Sequence, residues 1–299
     1  MVEPILKWAG GKRQLLDELR TRFPERYDSY HEPFFGGGAV FFEMAPDDGT
    51  INDTNRRLVN FYEQVRDRPD ELVARCRDFE DPERDPDPGR PHADAKNYYY
   101  QQRELFNRRP RDEEFDPLEE AALLLYLNRT GFNGLYRENA DGEFNVPIGR
   151  YASPDWVRAR QVRAASETLQ NATINCGDFE YVTAAADEGD LVYVDPPYEP
   201  VGQTADFNDY AAEGFDRDDQ RRLLEVAGDL DDAGVHVVLS NSGVMYDTYA
   251  DAGFHVDVER ATRAINSDAD DRGAVDEIIA TTVPPEQRAA AAQRALSDF

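Results

Sequence analysis

The chain is short of cysteine, histidine, lysine and long apolar runs, and each shortage narrows what it can be. Its 299 residues hold two cysteines, Cys76 and Cys176, and four scattered histidines, His31, His92, His236 and His255. Neither set has the spacing of metal ligands. We therefore expect no metal, no disulfide and a cytoplasmic location. No apolar run approaches the ~18–20 residues that cross a bilayer, so no membrane association is expected. The start, MVEPILKWAGG, lacks the basic lead and apolar stretch of a signal peptide.

Lysine is the sharpest shortage: Lys7, Lys12 and Lys96 are the only three. Against 33 basic residues stand 61 acidic ones, a net charge of -28. An acidic, lysine-poor surface stays hydrated in molar salt, so a halophilic source is expected. Acidity could instead mark a basic partner or disorder. Disorder fits poorly, because the acids are spread through patterned segments. In ~1 M salt the Debye length is about 3 Å, so such a protein can still hold an anion through short-range contacts. Two of the three lysines flank one glycine pair, which points to a functional use for them.

With 40% hydrophobic residues the chain can build one large α/β domain plus an inserted module. Its organising stretch is DLVYVDPPYE, 190–199. Leu191 to Val194 reads as a buried parallel strand. Pro196 and Pro197 then end the ladder, since neither has an N–H to donate. The turn presents a carboxylate (Asp195), a carbonyl (Pro196) and an aromatic ring (Tyr198) at the carboxyl end of a strand, where open α/β sheets bind ligands. A carboxylate and a carbonyl that accept both N–H bonds of an aromatic amine favour its localised, nucleophilic form. A ring beside them can stack on an extruded base. The alternative is an ordinary strand-ending turn.

Upstream, LKWAGGKRQLL (6–16) places Lys12 at the start of a helix, where anions are favoured. A phosphate loop is excluded, because Leu6 and Arg13 stand where that pattern needs a glycine and a Ser or Thr. Tyr30 to Phe35 predicts a strand, Gly36-Gly37-Gly38 a turn and Ala39 to Met44 a helix. Asp53 then closes a short strand at Ile51, placed to accept from ribose hydroxyls. This pattern suits an adenosine-containing cofactor, either a dinucleotide or S-adenosylmethionine. The strand–helix rhythm stops from about 57 to 170. Helices are expected over 57–75, 95–109 and 117–129, with a surface loop over 78–94. Asp141-Gly142 predicts a hairpin turn between GLYREN and EFNVPI. Arginines and apolar groups there could read a groove, or simply sit in solvent. Strands follow near 171–183, at 235–242, 255–265 and 274–283. A loop over the site is expected at 202–215, a helix capped by Asp216 after it, and an exposed helix from Pro284 onward.

Taken together, KWAGGK (7–12), EPFFGGG (32–38), NDTN (52–55), NRTGFNGLYR with EFNVPIGRY (128–151) and DPPY (195–198) resemble the Dam-type DNA adenine-N6 methyltransferases of the D12 class. The likeness covers nearly the whole chain in the family's motif order. It implies a Rossmann-like α/β domain over 1–62 and 171–299 that binds S-adenosylmethionine. A mostly helical target-recognition domain with a β-hairpin would fill 63–170. By the resemblance, the cofactor would meet Trp8, Lys12, Phe34, Gly36, Gly38, Asp53, Asp178, Phe179 and Asp195. Asp195, Pro196 and Tyr198 would act on the target adenine. Arg137 would read guanine, Leu135 and Pro147 thymine, and Asn133 a phosphate. Phe132 would fill the gap left by the flipped base, although a tyrosine is commoner there. Lys7, Asn128 and Arg150 would complete the DNA contacts. The expected partner is double-stranded DNA, with GATC as its site, bound by a monomer. The same motifs could serve an RNA or cytosine-N4 methyltransferase, a non-catalytic DNA-binding relative, or one half of a restriction-modification pair.

Overall fold

The computed structural model describes residues 3–12, 14–80, 98–108, 116–198, 215–262 and 274–289. All but the last residue of the expected 202–215 loop, most of the 78–94 loop, the helix start at 95–97, the end of the 255–265 strand and the tail from 290 lie outside them. The chain divides into two compact units. A sheet unit is built from Lys12–Phe35, Met44–Thr54 and Asn171–Phe299. A helical unit is built from Met1–Gly11, Gly36–Glu43 and Asn55–Gln170.

The sheet unit carries β1 (Tyr30–Glu32), β2 (Gly49–Asp53), β3 (Ala172–Cys176), β4 (Leu191–Val194), β5 (His236–Ser242), β6 (His255–Thr262) and β7 (Ala274–Thr281). Their order is β3-β2-β1-β4-β5-β7-β6. Only β7 runs against its neighbours, pairing antiparallel with β5 and with β6. β4 is buried at every position, which is why its sequence is a continuous apolar run rather than an alternating one. On one face its Val192 and Val194 pack with Leu223, Val226, Ala227 and Leu230 of the Arg217–Asp232 helix. That helix begins at Asp216, whose side chain accepts from the Asp218 and Asp219 backbones in a capping box. On the other face Phe23 meets Tyr193 edge-on at 6.0 Å.

Strand order reverses between β1 and β4: β2 and β3 lie beyond β1, and β5 lies beyond β4. That reversal is where such sheets leave a crevice at the strand ends. β1 is shorter than the sequence suggests, because Pro33 ends it after Glu32. Its carboxyl end therefore delivers Phe34, and that of β4 delivers Asp195.

In the helical unit the Pro117–Thr130 helix is buried almost all round, which makes it the centre rather than an amphipathic cover. The Arg56–Asp67, Pro69–Arg77 and Tyr98–Arg108 helices pack around it. Its buried Glu119 and Glu120 pair with Arg75 and Arg57. The single helix expected over 57–75 is two, divided at Arg68. Pro69 cannot donate to the preceding turn but suits the first position of a new helix. The 130–151 hairpin forms as a loop with two isolated antiparallel bridges, Gly131↔Ile148 and Glu138↔Phe144, rather than a continuous ladder. Asn139 makes its turn, accepting from the Asp141 and Glu143 backbones at 3.1 and 2.9 Å.

Candidate active site

At the end of β4 the Asp195 carboxylate is held through one oxygen. Lys12 Nζ lies 2.7 Å from Oδ1, and Ser240 Oγ donates to the same atom at 3.0 Å. Among the described residues no donor reaches Asp195 Oδ2 or the Pro196 carbonyl. Burial pushes the Asp195 carboxyl above its ordinary range, and the Lys12 ammonium and the Ser240 hydrogen bond hold it back. The Lys12 ammonium also lies 4.5 Å from the centre of the Tyr198 ring. Tyr198 donates its hydroxyl to Glu277 Oε2 at 3.2 Å. Burial, Asp195 and Glu277 push that phenol far above its usual range, so it stays a neutral ring. Lys12, far away in sequence, thus joins Asp195 and Tyr198 in one cluster.

A second cluster gathers at the ends of β1, β2 and β3. Phe34 stacks on Phe179 with centroids 5.4 Å apart, and Phe215 meets both edgewise or tilted. Asn52 ties these strand ends together, donating to the Pro33 and Gly177 carbonyls at 3.0 and 2.9 Å. Its Oδ1 is buried and has no hydrogen-bond partner among the described residues. Asp53 stands next to it at the end of β2. Asp178 is engaged locally: it caps the following turn through the Glu180 backbone and pairs with Arg222 at 3.0 Å.

In the helical unit Trp8 lies against the glycine turn. A Cβ on Gly36 would stand 2.9 Å from Trp8 Cδ1, and Gly36 has φ +51, so only glycine fits there. Tyr62 donates to the Gly36 carbonyl at 3.2 Å, and Tyr136 stacks on Trp8 at 5.2 Å. Gly38 also has a positive φ of 65.

Asn128 does not reach outward. It is 1% exposed, accepts from the Lys7 backbone and donates to the Lys7 and Gly134 carbonyls. Its amide is engaged inside the protein, where it fixes the start of the chain to the hairpin. Lys7 Nζ meets the Tyr151 hydroxyl at 3.1 Å and its ring at 4.4 Å. Phe132, Asn133, Pro147 and Arg150 are exposed, and Leu135 and Arg137 half-buried. Arg137 donates Nε to Asn145 Oδ1 at 2.6 Å. That contact aims the guanidinium while its terminal nitrogens keep no bond among the described residues.

A family model for the D12 class N6 adenine-specific DNA methyltransferase matches residues 8–265. The chain belongs to this class. Type II methyltransferase M1.LlaDCHI of Lactococcus lactis subsp. cremoris is 40% identical over 284 residues, 94% of this chain and 95% of that protein. DNA adenine methylase of Escherichia coli (strain K12) is 38% identical, over 94% of this chain and 95% of its own. Type II methyltransferase M.MjaIII of Methanocaldococcus jannaschii is 36% identical, over 91% and 95%. An adenine-specific DNA methyltransferase is therefore the enzyme that the fold must explain.

Sequence reasoning missed several of the residues that build this methyltransferase's clusters: Asn52, Gln220, Ser240, Asn241 and Glu277, besides Tyr62 and Tyr136. One signal was present. Ser240-Asn241-Ser242 closes an otherwise apolar strand and is fully buried. Polar groups tolerate that only when bonded to something. Among the described residues no group of three His, Cys, Asp or Glu side chains could hold a metal, and no helix is long and apolar enough to cross a membrane.

Proposed function

We propose that the chain transfers the methyl group of S-adenosylmethionine to N6 of adenine in duplex DNA, within GATC. The observation that carries this reading is the pair of acceptors, Asp195 Oδ2 and Pro196 O, that no donor among the described residues reaches, beside the Tyr198 ring. An amino group has two N–H bonds to give, and two acceptors draw its lone pair out of the ring.

Residues present in the sheet unit fit the cofactor. The buried, unpartnered Oδ1 of Asn52 lacks a donor, and Asp53 stands beside it for ribose hydroxyls. The Phe34–Phe179 pair suits an adenine face, with Asp178 next to it, and Lys12 and Asp195 offer opposite charges to an amino-acid end. Trp8, Gly36 and Gly38 are proposed cofactor contacts of the helical unit. When bound, S-adenosylmethionine supplies a methyl group made electrophilic by its sulfonium. The protein does the rest. Tyr198 stacks on the extruded base, whose removal from the helix costs a few kcal/mol. Asp195 and Pro196 O orient the amine and stabilise its developing positive charge, and its proton leaves afterwards. Holding the reactants in line itself lowers the barrier.

The helical unit would read the site. Arg137 would pair with guanine, Leu135 and Pro147 would meet a thymine methyl, and Asn133 and Arg150 would meet the backbone. Exposed Phe132 would enter the gap left by the base. Lys7 would contribute at the outer base pair, and Asn128 would position it from inside. The acidity is proposed to serve work in molar salt.

The test is methyl transfer from labelled S-adenosylmethionine to a GATC duplex and to a scrambled duplex, from low salt to molar KCl. Label in GATC adenine alone, rising toward molar salt, is the expected result. Label in both duplexes overturns the hairpin reading. Label on RNA or on cytosine N4 overturns the substrate.

A further inference from the structure

Three buried groups hold the Asp195–Tyr198 turn, and the proposed chemistry uses none of them directly. Ser240 donates to Asp195 Oδ1 at 3.0 Å. Gln220 donates to the Pro197 carbonyl at 3.1 Å, and Asn241 in turn donates to Gln220 at 3.3 Å and to the Tyr249 hydroxyl at 3.1 Å. Glu277 accepts from Tyr198. Ser240 and Asn241 are neighbours on β5, and both are fully buried.

Ser240 has the most specific place. A carboxylate turns easily about its last torsion, which is broad and roughly two-fold. Lys12 alone could take either oxygen of Asp195. With Ser240 on the same oxygen as well, two donors from different directions fix the plane of the carboxylate, and the other oxygen is left for the incoming amine. The Tyr193 hydroxyl lies 2.9 Å from Ser240 Oγ, on the same strand as the reacting turn. Burial pushes the Tyr193 phenol far up, so it keeps its proton and can donate. A hydroxyl has one proton. When Tyr193 donates to Ser240, the Ser240 proton is committed to Asp195.

We propose that Ser240, with Tyr193 behind it, is a positioning residue for methyl transfer: it orients the Asp195 carboxylate and keeps it ionised. The inference rests on the methyltransferase reading above. The charged and titratable groups around Asp195 are Lys12 from the N-terminal segment, Tyr193 on β4 and Tyr198 on the turn. Glu277 of β7 acts on Tyr198, and Glu32 of β1 on Tyr193.

The experiment uses the full chain, labelled S-adenosylmethionine and a GATC duplex. Ser240→Ala is expected to lower kcat about 10- to 100-fold, the worth of a hydrogen bond to a charged group. The KM values for both substrates should stay within about threefold. The acid limb of the pH profile should move to higher pH, because a donor favouring the charged carboxylate is gone. Ser240→Thr, which keeps the hydroxyl, should restore most of the rate and the limb. Ser240→Ala with wild-type kcat and an unmoved limb overturns the proposal, and so does Ser240→Thr as impaired as Ser240→Ala. Should Ser240→Ala not fold, Tyr193→Phe must shift the limb the same way by a smaller amount, and an unshifted limb overturns it. The Asp195 titration read by carboxyl carbon NMR separates the two readings. A wild-type chain that labels no adenine sinks methyl transfer alone. A titration that does not move in Ser240→Ala sinks the role of Ser240 alone.

Discussion

The two units differ most in charge. The helical unit holds 20 basic and 25 acidic residues, and the sheet unit holds 13 basic and 36 acidic. Nearly all of the surplus acidity therefore belongs to the unit with the Asp195 cluster, and the unit with the hairpin is close to balanced. A chain-wide net charge of -28 hides this. It also explains how so acidic a chain belongs to a family acting on a polyanion. The segments proposed to touch phosphate are not the ones carrying the excess, and in molar salt the excess acts over only a few ångströms.

The largest effect should come from the sheet unit. Asp195→Ala removes the acceptor and the carboxylate that pairs with the buried Lys12 ammonium. Methyl transfer is expected to fall about 10³-fold or more, by analogy with losing one preorganised group at a developing charge. A folded Asp195→Ala with full activity would break the assignment of chemistry to this unit. The wild-type pH profile sharpens it. Burial raises the Asp195 pKa, and its acceptor role needs the ionised form. Activity should therefore be lost as pH falls through a value above the usual ~3.9 of an aspartate.

The helical unit gives the next effect, of another kind. Arg137→Ala should cost about 1–3 kcal/mol of discrimination at one base pair, read as kcat/KM on GATC against a single-base variant. Binding of S-adenosylmethionine should not change. Equal loss on both duplexes would move Arg137 from base reading to backbone contact. A smaller effect tests that unit's folding. Asn55 accepts from the Arg57 and Leu58 backbones at 3.1 Å each, capping the Arg56–Asp67 helix. Asn55→Ala should cost about 1 kcal/mol in denaturant unfolding, with the slope unchanged.

The strand ends were legible in the sequence because proline and glycine act locally. Pro196 and Pro197 must stop β4, and Gly36 must take a conformation closed to other residues. The Asp216 cap was equally local. The frame around Asp195 was not, because it depends on which strands become neighbours. Ser240 lies 45 residues from Asp195 and Glu277 lies 79 from Tyr198. Only the sheet order, with β5 and β7 side by side beyond β4, brings them in. Asn128 is a different case. Its motif marked it as a site residue, while its burial and its bonds to Lys7 and Gly134 depend on how distant segments meet. The division at Arg68 was legible from Pro69, whose effect the apolar spacing across 57–75 obscured.

The smallest effect bears on the acidity itself. The Arg217–Asp232 helix ends with no basic residue in its last turn, and Asp229, Asp231 and Asp232 stand there. The carbonyl end of a helix is the negative end of its dipole, so acids there oppose it. Asp231→Asn with Asp232→Asn should stabilise the chain by about 0.3–1 kcal/mol per site at low salt. Because both side chains are exposed, screening should remove most of that gain in molar KCl. Thermal unfolding at the two salt concentrations measures the difference. A gain that persists at molar salt would mean that these acids act through local structure. A gain confined to low salt would mean that the acidic unit tolerates a repulsion that molar salt screens.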